Sequence, residues 1–170
     1  DINGTGSVYN TDPVTSAQTA YNTGNFTDNA DADNPDLNAQ QVNVTLLDIT
    51  FSGGLYKLIG PYAEIVDHES PFSGLFTQTN SYFGYNRTND AFEAVNCYYH
   101  IDKSMRYINT TLGIALPPEV YTTGVRFDPH GLSGGCNAHY TSSDQKIAFG
   151  SPATTVDAGA DRRRTGRWTA

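Results

Sequence analysis

The chain has 170 residues, 18 acids against 10 bases, a formal net charge of −8 and two cysteines, which fits one compact domain with a core of useful size. Charged residues make up 16%, against roughly 25% in an average soluble domain, while Asn, Thr and Gly number 14, 20 and 16; this neutral polar palette suits an extracellular β-rich protein. The acidity argues against nucleic acid, whose phosphates require clustered Lys and Arg, and no run of 18 apolar residues is present to span a membrane. No charged-then-apolar start marks a signal peptide; because the chain opens at Asp1, a leader is expected to have been removed or left out.

Residues 1–40 read as an extended polar N-terminal arm. They carry six acids (Asp1, Asp12, Asp28, Asp31, Asp33, Asp36), no base, and widely spaced large apolar side chains such as Val8, Tyr9, Val14 and Leu37. Such a segment cannot repay its ordering entropy alone. It is either solvated or docked, on its own domain or on a neighbouring molecule.

Residues 41–161 read as one α+β domain. Val42, Val44, Leu46 and Asp48 alternate with Asn43, Thr45, Leu47 and Ile49, and Ser52-Gly53-Gly54 turns the chain into Leu55-Tyr56-Lys57-Leu58-Ile59. Gly60-Pro61 turns it again into Tyr62-Ala63-Glu64-Ile65-Val66-Asp67, so an antiparallel three-strand meander is expected. Over residues 89–112, Ala94, Tyr98, Ile101, Met105, Ile108 and Leu112 recur on one face of a long helix. Asp90 with Glu93 marks its start and Gly113 its stop, with Pro117-Pro118 beyond. A strand follows at Val125-Arg126-Phe127, then a turn-rich stretch, then a hairpin pairing Ala138-His139-Tyr140-Thr141 with Lys146-Ile147-Ala148-Phe149. The expected architecture is meander and hairpin packed on one helix. Residues 162–170 form a basic tail holding four of the ten bases and the only Trp; arm, domain and tail carry −6, −6 and +4.

Cys97 on the helix and Cys136 before the hairpin are the only cysteines, and in an extracellular chain a disulfide between them is expected. It would contribute roughly 3 to 4 kcal/mol on the chain-entropy account; the alternative is two thiols in a reduced compartment. Five N-x-S/T sequons, at Asn3, Asn25, Asn43, Asn86 and Asn109, offer glycosylation sites, of which Asn43 falls inside a strand. Asp28, Asp31, Asp33 and Asp36 are candidate oxygen ligands for Ca²⁺, although the stretch lacks the Gly and distal Glu of an EF-hand loop. No cofactor beyond that ion is called for.

The four histidines, His68, His100, His130 and His139, include no pair four residues apart, so no helix face presents two imidazoles to a metal. His68-Glu69 begins like H-E-x-x-H, but Phe72 stands where the second His would be and Pro71 opposes a helix. Zn²⁺ is therefore not expected, with a site from His130, His139 and a distant acid the remaining possibility. Gly131-Leu132-Ser133-Gly134 does not meet the spacing of a nucleophile elbow.

Asp90-Ala91-Phe92-Glu93-Ala94-Val95-Asn96-Cys97-Tyr98-Tyr99-His100 resembles the long helix of secreted thermolysin-like and fungalysin-like zinc metalloproteases. Asn137-Ala138-His139-Tyr140 through Ile147-Ala148-Phe149-Gly150 is similar to their edge hairpin, and Val156-Asp157-Ala158-Gly159-Ala160-Asp161 to the approach to their zinc helix. The resemblance spans about residues 89–161. It implies that the edge at Asn137, Ala138 and His139 captures an extended peptide strand. Where the family continues into H-E-x-x-H, this chain has Arg162-Arg163-Arg164, so no peptide cleavage is expected of it.

The first functional expectation is a non-catalytic extracellular assembly subunit, fibril-like, whose arm docks on a neighbouring subunit to give a homo-oligomer or filament. The second is the N-terminal part of a secreted zinc metalloprotease, inactive as given. The third is a secreted adhesion or carbohydrate-binding module.

Overall fold

A computed structural model describes residues 2–116 and 122–150; the approach segment 156–161 and the basic tail 162–170 lie outside the described residues. The fold is mixed α+β, with eight strands in two four-stranded sheets and one long helix packed against both.

The first sheet has the order β3-β2-β1-β5, built from β1 (Ile2–Val8), β2 (Val42–Ser52), β3 (Leu55–Lys57) and β5 (Tyr82–Phe83). Of the alternatives for the N-terminal segment, residues 2–8 dock on their own domain: β1 lies inside the sheet, antiparallel to β2 and parallel to β5. The short helices α1 (Pro13–Ser16) and α2 (Pro35–Asn38) tuck the rest of the segment down through Val14 and Leu37, both buried, as are Val8 and Tyr9. Four apolar side chains, too few to fold alone, suffice when a preformed surface receives them. Asp12 and Asn34 cap the two helices, accepting from the amides of Thr15 and Leu37 at 2.9 Å, and each is followed by Pro at the first helical position.

The alternation in β2 breaks at a bulge. Ile2 pairs with Ile49 but Gly4 with Leu46, so β2 carries one extra residue. Asp48 takes φ +53 there, its amide donating to Asn3 Oδ1 at 3.1 Å. The extra residue brings Ile49, fully buried, into the core and sends Asp48, which the alternation grouped with Val42, Val44 and Leu46, to Arg106 at 3.0 Å. Gly53 and Gly54, both at positive φ, make the two-residue loop of the β2–β3 hairpin.

The third expected meander strand does not join this sheet. β4 (Ala63–Ile65) touches the preceding segment only at the bridge between Ile59 and Glu64, and pairs parallel with β6 (Val125–Gly131). The second sheet runs β4-β6-β8-β7, completed by β7 (Ala138–Thr141) and β8 (Lys146–Gly150), the hairpin expected from sequence. β6 extends four residues past its expected end, through Asp128, Pro129, His130 and Gly131.

Helix α3 (Ala91–Arg106) continues as a π-helical turn over Tyr107–Thr111 and stops at Gly113, whose φ is +67. Asp90 stands at the helix start as expected, and the side chain that accepts there is that of Asn89, from the Ala91 amide at 2.9 Å. The predicted stripe is buried at Ala94 and Tyr98, partly at Ile101, and exposed by Leu112, because the helix outruns the sheets and the π turn shifts the period. Ala94, Val95, Cys97 and Tyr98 join Val8, Leu46, Ile49, Phe83, Ile65, Phe127 and Phe149 in one cluster that fuses the two sheets.

Cys97 is buried in that cluster and Cys136 is half-buried ahead of β7, both as thiols. The expected disulfide is not formed in the structure, where Cys97 serves as a small apolar core side chain.

The close approach of α3 to the first sheet depends on Gly6, where a Cβ would meet Val95 Cγ1 at 2.7 Å and Leu46 Cδ1 at 3.1 Å. Gly6→Ala is expected to destabilise the domain by about 1–3 kcal/mol, read as a lower denaturation midpoint. Gly53→Asn, at a turn position where a Cβ meets nothing within 4 Å, should leave the midpoint within about 0.5 kcal/mol.

Candidate functional site

Among the described residues, β7 has β8 on one side and no strand on the other. The Gly150 amide donates to Asn137 O at 2.8 Å, and Ala138 lies opposite Phe149, so Asn137 and Gly150 form a hydrogen-bonded pair. Alternation then turns the amide and carbonyl of Ala138 and Tyr140 away from β8. Of the three residues of the expected capture edge, Ala138 and His139 lie in β7 and Asn137 just before it; only Ala138 turns its backbone groups away from β8.

Side chains on β7 alternate between faces. His139 lies opposite Ala148, which lies opposite Asp128 on β6, so His139 and Asp128 share a face with a buried alanine between them. Glu69 packs closely on Gly131, where a Cβ would meet Ala148 Cβ at 2.9 Å and Glu69 Oε2 at 3.1 Å. The loop after β4 lies across this point and brings His68 and Glu69 over the sheet.

Glu69 is the hub of the resulting cluster. Its Oε2 accepts from the Leu132 amide at 2.9 Å and its Oε1 from His139 Nε2 at 2.7 Å. His68 Nε2 stands 3.4 Å from the same Oε1, and His68 Nδ1 stands 3.4 Å from Asp128 Oδ2. Asp128 is fixed by three backbone amides: those of His68 and Glu69 donate to Oδ2 and that of His130 to Oδ1, each at 3.0 Å. His130 points the other way, donating from Nε2 to Asp90 O at 2.7 Å with Glu93 at 3.9 Å. Burial acts to raise the Glu69 carboxyl, but the Leu132 amide and the two imidazoles outweigh it and hold it below the ordinary glutamate range.

The acidic stretch is built differently from a calcium loop. Arg87, buried, sends its guanidinium to Asp28 Oδ1 at 3.2 Å, Asp31 Oδ1 at 3.0 Å and the Asp28 carbonyl at 2.9 Å. Asp36 instead accepts from Asn25 Nδ2 at 2.7 Å, and Asp33 meets Thr88 through its backbone amide. Asp28 and Asp31 thus share the Arg87 guanidinium, while Asp33 and Asp36 make other contacts. Burial raises the Asp31 carboxyl despite Arg87. Among the described residues, no three His, Cys, Asp or Glu side chains are placed to hold a metal ion as they stand.

Of the sequon residues, Asn3, Asn25, Asn43 and Asn86 are exposed and Asn109 is half-buried. Asn43 accepts from Ser7 Oγ at 3.1 Å, and Asn109 Nδ2 donates to Met105 O at 2.8 Å. The grouping of His68, Glu69 and Asp128 with His139 was not legible from sequence, because it joins positions up to 71 apart through β pairing. The adjacency of His68 and Glu69 was its one local trace.

Comparison with known protein families and with curated proteins returns no match. No helix among the described residues is long and apolar enough to cross a membrane.

Arg87→Met should leave two carboxylates facing an apolar side chain and cost about 3 kcal/mol; adding Asp28→Asn and Asp31→Asn in that background should recover part of the loss in denaturant titrations. A carboxyl held below its unfolded value contributes stability that is present above the ordinary glutamate range and fades as pH falls through the lowered value. The stability gap between the wild type and Glu69→Gln is therefore expected to be full at neutral pH and to shrink in acid.

Proposed function

We propose that the chain is a scaffold that captures an extended polypeptide segment by strand addition along β7. The observation that supports this reading is the edge position of β7, with the amides and carbonyls of Ala138 and Tyr140 turned outward. An edge of this kind takes a peptide through main-chain hydrogen bonds, with alternate side chains setting preference. The neutral, Asn- and Thr-rich composition favours an extracellular setting.

The resemblance to secreted zinc metalloproteases agrees with peptide capture at this hairpin, but the residues present do not fit that family's zinc helix. His68 and Glu69 stand in a loop with Pro71 following, and Phe72 is at φ +60. A filament built through a free arm has less support, since residues 2–8 are paired on both sides within their own sheet.

The test is fluorescence anisotropy with labelled octapeptides rich in Thr and Val. Binding is expected, and Ala138→Pro and Tyr140→Pro should each weaken it about tenfold, the worth of roughly one backbone hydrogen bond. An edge strand tolerates Pro, so circular dichroism should show both variants folded. Absent binding, or binding untouched by both substitutions, overturns the reading.

A further inference from the structure

Three nitrogen and oxygen donors gather where the 66–70 loop meets β7. We propose that His68, Glu69 and His139 form a site for a divalent metal ion of the zinc class, with Asp128 as the group that orients His68. This site stands apart from the zinc helix of the resembled family and does not rest on peptide capture.

The argument begins with His68. Both of its ring nitrogens are enclosed and have no hydrogen-bond partner among the described residues, a costly arrangement for an imidazole. Its surroundings are nonetheless specific: Nδ1 faces the Asp128 carboxylate and Nε2 faces Glu69 Oε1, each at 3.4 Å. Metal-binding histidines regularly present one nitrogen to the ion and the other N–H to a carboxylate, which fixes the tautomer. Asp128 is itself locked by three amides, as such an outer group must be.

The donor set selects the ion. Two imidazoles and one carboxylate suit zinc and its neighbours, whereas calcium and magnesium require oxygen ligands. Two ligands of a tetrahedral zinc stand about 3.3 Å apart, given bond lengths near ~2.05 Å. The His68–Glu69 pair already has that spacing, at 3.4 Å. His139 Nε2 sits at 2.7 Å from the same oxygen, a hydrogen-bond separation, so coordination requires it to draw back by roughly 0.6 Å. The His139 side chain is 41% exposed on an edge strand, which permits that movement and leaves a fourth position open to water.

The experiment is calorimetric titration of the untagged full chain with zinc chloride near neutral pH, with visible absorption of Co²⁺ as a geometric readout. One ion per chain is expected, with tetrahedral Co²⁺ bands. His139→Ala, exposed and tolerated by the fold, should weaken binding at least tenfold, Glu69→Gln likewise, and His100→Ala, whose ring contacts Tyr9 O, should not. Circular dichroism confirms that each variant is folded. No saturable binding to the wild type, or binding unchanged in His139→Ala, overturns the proposal.

Discussion

Helix α3 must touch both sheets at once, and the rest of the architecture follows from that. Tyr98 is the contact on which this turns: its ring is fully buried, and its hydroxyl donates to Leu47 O at 2.9 Å. Burial and the charge of Asp102 push that hydroxyl far above the ordinary phenol range, so it remains a donor at every working pH. The chain makes room for it at Gly60, where a Cβ would fall on the Tyr98 oxygen. Just beyond Gly60 the chain enters β4, which pairs with β6 in the second sheet, so the glycine that admits Tyr98 lies where the chain passes from one sheet to the other.

Scarcity of bases shapes the electrostatics. With ten bases for eighteen acids, the two most engaged arginines each gather two carboxylates. Arg87 binds Asp28 and Asp31 to the start of α3, and Arg106 binds Asp48 and Asp102 while stacking over Tyr62 at 4.8 Å. Arg87, Asp28 and Asp102 are largely buried, so these clusters fix geometry more than they add net stability. The first pins the 27–31 turn. The second holds the bulge of β2 and the end of the helix together.

Local periodicity carried the hairpin, the helix and the β2–β3 turn, because each is set by residues within a few positions of one another. It did not carry β1, whose Gly and Thr content is weak as strand signal and becomes one through β2 and β5 on either side. Nor did it reveal the break in the β2 alternation at Asp48, since a bulge is a property of two strands. The outward turn of Ala138 and Tyr140 needed the register with β8, and the polar cluster needed the loop that crosses Ala148. The partner of Asp28 and Asp31, Arg87, was also hidden, since it stands 59 and 56 residues away in the chain.

The interior place of β1 has a kinetic side. Its two neighbours come from residues 42–52 and 82–83, so β1 gains its antiparallel partner only after a connection of more than thirty residues and its parallel partner after one of more than seventy. Closing loops of that span before the contacts reward them makes for slow assembly. The four-residue helices α1 and α2 between β1 and β2 are too short to hold alone, so they too wait on the surface that buries Val14 and Leu37.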